Sequence, residues 1–118
     1  MPPVTTYPSH NTLSHIDAVA HELISERVRQ IAEEGNTILR DDSYYLGEIA
    51  AAASCYAEWS TYSDSVRETC KDQFSPRWPW GKSWWKPKDR RRDLVRAGAL
   101  IIAEIERLDR AASRTKTG

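Results

Sequence analysis

Four tryptophans, Trp78, Trp80, Trp84 and Trp85, alternate with Arg77, Lys82, Lys86 and Lys88 and run into the triplet Arg90, Arg91, Arg92. Flat apolar rings beside ammonium and guanidinium donors suit a nucleotide, the rings stacking on its base and the cations holding its phosphate. A helix that opens near Asp89 adds the partial positive charge of its first amides next to the arginines. The candidate ligand-binding residues are therefore Trp78, Trp80, Trp84, Trp85, Lys86, Lys88, Arg90, Arg91 and Arg92. The same rings would also cover a thin helical core, with the basic stems lying across them.

A second chemistry to weigh is metal-assisted hydrolysis. All-α, MazG-like nucleotide pyrophosphohydrolases hold Mg²⁺ with an E-E-x-x-E motif on one helix and E-x-x-D on another, because an octahedral cation bridging phosphates wants several converging carboxylates. Here Glu22, Glu26, Glu33, Glu34, Glu48 and the pair Glu106 and Asp109 are available, yet Glu33 and Glu34 end their helix with no third glutamate. Glu106 and Asp109 alternate with Arg107 and Arg110, which reads as a solvated face. Glu48 and Glu104 interrupt apolar faces, where a salt bridge to Arg27, Arg29 or Arg96 is the expectation. His10, His15 and His21 lack ligand spacing, and Cys55 and Cys70 form no C-x-x-C, so free thiols are expected. No catalytic residue, metal site or cofactor follows from these patterns.

Three main helices must position these groups, over about 14–34, 42–59 and 89–112, which makes the fold class all-α. Apolar Ile16, Val19, Ala20, Leu23, Val28 and Ile31 recur at helical spacing after Thr12 or Ser14 and stop at Gly35. Asp41, Asp42 and Ser43 can cap the second helix, whose inward face is Leu46, Ile49, Ala50, Ala53, Tyr56 and Ala57. Tyr44 and Tyr45, beside Asp41 and Asp42, could line a pocket, but the favoured reading is a staple on its start. After Trp59 the helical signal breaks, with one short turn of helix expected over 65–72. Pro76, Pro79, Gly81 and Pro87 exclude a regular element from Phe74 to Lys88, which leaves a long, ordered, tryptophan-rich connection. The third helix is apolar almost all round from Leu94 to Ile105, so it is central or forms an oligomer interface. Gly98 lies inside it, where close approach of an alanine from the second helix would compensate its poor propensity.

At 118 residues the chain is one domain, 13–112, with an N-terminal arm over 1–12 and a tail over 113–118. The formal net charge is +0, but residues 13–72 hold twelve acidic and five basic side chains whereas 74–96 hold two and eight. A neutral total argues against sequence-independent binding to duplex DNA, and nothing points to sequence-specific nucleic acid. A local positive pole suits a compact anion. No apolar run is long enough to span a bilayer and no basic n-region leads an apolar stretch, so no membrane partner and a cytoplasmic location are expected.

Four blocks carry a resemblance: Glu26–Gln30 (E-R-x-R-Q), Asp41 with Asp42, Gly47–Ala57 (G-E-I-A-x-A-A-x-x-Y-A), and Trp78–Arg110. The last reads W-P-W…W-W-K-P…R-R-D-L-V-R-A-G-A-L-I-x-A-E-I-E-R-L-D-R. Together these blocks resemble a family of small uncharacterised proteins of tailed phages and prophages, over roughly residues 20–112. Members often have an aromatic residue where this chain has Asn36. The resemblance implies a phage protein in the host cytoplasm and transfers no chemistry. The functional expectation is a non-catalytic accessory protein that sequesters a small anionic nucleotide. Such a counter-defence sponge would take a host immune messenger, either a cyclic oligonucleotide or an ADP-ribose derivative. The broad apolar helix suggests a homo-oligomer. Two alternatives stand beside it: a Mg²⁺-dependent MazG-like pyrophosphohydrolase, and a protein-binding inhibitor of a host defence protein using the tryptophans as a hot spot.

Overall fold

The structure is a computed structural model that describes residues 7–35 and 37–117, with side chains through Thr115. Asn36 and residues 1–6 of the expected arm lie outside the described residues. The chain is all-α, with α1 at His10–Glu34, α2 at Ile38–Asp42, α3 at Glu48–Trp59, α4 at Asp64–Thr69 and α5 at Arg90–Thr117. A single 3₁₀ turn, Lys82–Trp84, punctuates the connection between α4 and α5. No described helix is long and apolar enough to cross a membrane.

Local chemistry accounts for most boundaries. α1 starts earlier than the periodicity suggests, because Ser9 caps it by accepting from the Thr12 amide and nothing between them breaks a helix. It ends as expected at Gly35, whose φ of 71° is left-handed and whose amide donates to the Gln30 carbonyl. The second expected helix opens later than 42, at Glu48, and a separate short helix precedes it. Thr37 caps the short α2, and Gly47, at φ 87°, turns the chain before α3. Asp41 and Asp42 thus end a helix and cap nothing, and Leu46 is exposed where an inward position was expected. α5 begins after Asp89, whose carboxylate accepts from the Arg92 amide, and carries the helix through most of the expected tail.

The core lies between α3 and α5: Ile49, Ala52, Ala53, Cys55 and Tyr56 pack against Ala97, Leu100 and Ala103, and Trp78 of the connection joins them. The alanines let the two helices approach closely. α1 keeps Val19 and Leu23 of its expected inward face half-buried but turns the rest away. Its buried residues are Glu26, Arg27 and Gln30, while Ile16, Ile24, Val28 and Ile31 face outward. It docks through charge: Arg27 donates to Asp41 at 2.9 Å and to Glu106 at 2.9 Å, and Arg92 of α5 donates to Glu26. Gly98 is needed for this docking and not for contact with α3, since a methyl there would stand 2.5 Å from Leu23 Cδ2. Glu48 and Glu104 make local bonds in place of interhelical bridges, Glu48 accepting from the Leu46 amide at 2.7 Å and Glu104 from Arg107 at 2.5 Å.

The exit of the connection meets the end of α3 and the start of α5 at Arg67 of α4. It donates to the Trp59 carbonyl at 2.9 Å, the Lys88 carbonyl at 2.6 Å and the Asp93 carboxylate at 2.6 Å. Asp93, fully buried, also accepts from the Lys88 amide at 2.7 Å. Replacing one member of such a pair strands the other charge away from water. Asp93→Ala is expected to lower the unfolding free energy by about 3–5 kcal/mol in urea titrations, and a loss below about 1 kcal/mol would show that Arg67 reaches water when its partner is gone.

Candidate functional site

The connection folds back on α3 because its tryptophans find Tyr56. Trp85 stacks on that ring at 4.7 Å and Trp78 meets it edge-on at 5.6 Å. Trp80 packs on Trp78 at 5.5 Å and on Tyr44 at 5.2 Å. Backbone bonds tie the stretch further: the Lys86 amide donates to the Tyr56 hydroxyl at 3.2 Å, and Arg96 of α5 donates to the Lys86 carbonyl. Burial pushes the Tyr56 hydroxyl above its ordinary pKa, which keeps it a neutral acceptor for that amide. Three of the four expected stacking rings are thus largely consumed in covering the core. Trp84 differs: 41% exposed, it lies under two cations, with the Arg40 guanidinium 5.3 Å and the Lys86 ammonium 5.6 Å from its ring.

The arginines expected to hold phosphate are bonded within the molecule. Arg90 donates to the Ser60 carbonyl at 2.8 Å, Arg91 forms a two-pronged pair with Glu22 at 2.5 and 2.7 Å, and Arg92 donates to Glu26. The side chains of Lys86 and Lys88 are exposed, and Lys88 serves the fold through its backbone.

Behind Trp84 the chain encloses a small cavity. Its aromatic wall is Tyr44, Tyr56, Trp78, Trp80 and Trp84; Glu26, Gln30 and Glu34 supply one polar side from α1, and Arg40 and Arg96 the other. Spacing of four residues sets the three α1 side chains on one helix face. The space is about 30 Å³, room for about one water. Three of the residues that line it each hold a buried atom with no hydrogen-bond partner: Gln30 Oε1, Arg96 Nε and Trp80 Nε1. The Gln30 amide is oriented by its own Nε2, which donates to Glu26, so its free oxygen is an acceptor in search of a donor. Burial acts to raise the Glu26 pKa, but hydrogen bonds and charge from Arg29, with Arg92 and Arg96 nearby, outweigh it and hold the carboxyl below its ordinary value.

A wider hollow of about 300 Å³ opens on the other side of the connection, among Trp59, Tyr62, Val66, Phe74 and the free thiols Cys55 and Cys70. Burial pushes the Cys55 thiol above its ordinary pKa, which makes it a poor nucleophile. Among the described residues, no three His, Cys, Asp and Glu side chains are grouped to hold a metal ion. The carboxylates weighed for Mg²⁺ are engaged elsewhere: Glu22 with Arg91, Glu33 and Glu34 with Arg29, and Glu106 with Arg27.

Sequence reasoning singled out Trp78, Trp80 and Trp84 at this cavity but missed Gln30, Arg40, Tyr44, Tyr56 and Arg96. One signal was present: Gln30, Tyr56 and Arg96 each fall inside a block that carries the resemblance. No protein-family model, curated protein or solved structure matches the chain.

The Glu26 network has a pH signature. Its folded pKa lies below the ordinary 4.5, so it adds stability above that pH and loses it as the pH falls through the folded value. Glu26→Gln is expected to flatten the decline of stability between about pH 5 and pH 3, measured by urea titrations across that range; an unchanged slope would show that Glu26 is not part of the acid response.

Proposed function

We propose that this chain is a non-catalytic binding protein for a small anionic nucleotide, whose base enters the cavity behind Trp84. The observation that carries the reading is the trio of unpartnered buried atoms, Gln30 Oε1, Arg96 Nε and Trp80 Nε1, on residues that line a cavity with five aromatic rings. A buried polar group without a partner costs roughly 1–3 kcal/mol. A ligand that meets all three recovers that cost, and to do so it must be flat, apolar on its faces and fringed with both acceptors and a donor. Nucleobases have that combination; a simple anion or a hydrocarbon does not.

Capture is favoured over hydrolysis by the state of the carboxylates. Glu26 accepts from Arg29, Arg92 and Gln30, and Glu34 pairs with Arg29, so neither is free to bind Mg²⁺ or to activate water. The phage resemblance supplies a setting in which such capture is useful, namely removal of a host immune messenger such as a cyclic oligonucleotide or an ADP-ribose derivative. Association of copies belongs to the same proposal. Leu94, Ile101, Ile105 and Leu108 form an outward apolar stripe on α5 beside a hollow lined by Ala50, Ala53 and Ala57, so knob and socket share one face, as a two-fold contact requires.

Gln30→Leu, nearly isosteric and unable to accept, is expected to weaken nucleotide binding by more than tenfold in calorimetry while the circular dichroism stays helical. Bound ligand should be released intact when the protein is denatured. Unchanged affinity would remove the cavity as the site, and recovery of cleaved nucleotide would make the chain a pyrophosphohydrolase.

A further inference from the structure

We propose that Arg40 and Lys86 form a phosphate subsite at the mouth of this cavity, and that Trp84 is the gate which a phosphate ester opens by drawing both cations away from its ring. The inference rests on the nucleotide reading of the cavity and assigns its anionic end to residues other than the arginine triplet.

Position comes first. Trp84 lines the cavity on one side and is partly exposed on the other, so its ring separates the enclosed polar atoms from solvent. Both cations lie within 6 Å of that ring, Arg40 at 5.3 Å and Lys86 at 5.6 Å. Any ligand passing Trp84 meets both.

Donor capacity comes next. Arg40 donates from Nε to the Tyr44 hydroxyl at 3.0 Å and from Nη1 to the Glu34 carbonyl at 3.4 Å, a long bond, and its Nη2 has no acceptor among the described residues. The Lys86 ammonium has no carboxylate partner among the described residues. Arg90, Arg91 and Arg92, by contrast, do not line the cavity and are bonded to Ser60, Glu22 and Glu26. Charge-assisted hydrogen bonds to phosphate are stronger than a cation over an exposed indole, so the ester wins both cations.

The gate follows from size. The cavity holds about 30 Å³ with Trp84 in place, far less than a nucleobase occupies, so the ring must leave before a base enters. Trp84 belongs to a single 3₁₀ turn, Lys82–Trp84, outside the longer helices. The indole is held by the cations that a phosphate removes, which couples recognition of the anion to opening of the base site.

The test compares the four ribonucleoside 5′-monophosphates with the matching nucleosides in calorimetry, alongside tryptophan fluorescence. The favoured monophosphate should bind at least tenfold more tightly than its nucleoside and change the fluorescence. Lys86→Ala, at an exposed position that leaves the fold intact, should reduce monophosphate affinity about tenfold without lowering nucleoside affinity, whereas Arg40→Ala, which also removes part of the cavity wall, should lower both. Equal binding of monophosphate and nucleoside overturns the subsite but leaves the cavity reading in place. So does loss of phosphate preference in Arg91→Ala with none in Lys86→Ala. If neither nucleotides nor nucleosides bind, the cavity reading itself falls and the subsite with it.

Discussion

The buried ion pair between Arg67 and Asp93 joins four separate pieces of chain: the end of α3, α4, the exit of the tryptophan-rich connection and the first turn of α5. Asp93 is fully excluded from solvent, and a carboxylate there is tolerable only because Arg67 and the Lys88 amide both donate to it. Arg67 in turn satisfies the Trp59 carbonyl at the end of α3. With the exit of the connection fixed, the stretch before it folds onto Tyr56, and Arg96 reaches the Lys86 carbonyl.

The same economy of charge explains α1. The chain has few large apolar side chains facing its centre, and the α3 and α5 core is built largely from alanines. α1 joins it through Glu26, Arg27 and Gln30, with Arg91 and Arg92 of α5 reaching back to Glu22 and Glu26. Its isoleucines are left outside, and the radius of gyration is 16.5 Å, against about 13.5 Å for a compact domain of this length. The pairing also redistributes charge. Arginines of α5 pair with acidic residues of the first half, and the positive pole that remains contains Lys82, Lys86 and Lys88, all exposed.

The cavity combines these two features. Docking α1 by charge brings Gln30 inward, where its Nε2 binds Glu26 and its Oε1 is left over. Anchoring the connection brings Trp80 and Arg96 to the same space with donors to spare. Native interiors leave few polar atoms unsatisfied, so three around one aromatic hollow are a feature to be explained, and a nucleobase behind a cation-flanked indole explains both the atoms and the ring.

The sequence by itself determined the all-α class, the stop at Gly35, the interruption by Pro76, Pro79, Gly81 and Pro87, and the place of the long helix after Asp89. These rest on backbone chemistry that each residue carries wherever it sits: a left-handed glycine, a missing proline amide, a capping carboxylate. It also located the tryptophans that matter, though not which of them face solvent. Only the tertiary structure decided that α1 turns its charged side inward, because periodicity marks a face without naming what lies opposite. Only the fold could assign Arg90, Arg91 and Arg92 to Ser60, Glu22 and Glu26, since a charge pairs with whatever the chain brings near it and those partners stand 30, 69 and 66 residues away. And Trp84 became distinct from Trp78, Trp80 and Trp85 only when Tyr56 and Tyr44 claimed the other three, a contest among rings that no spacing along the chain records.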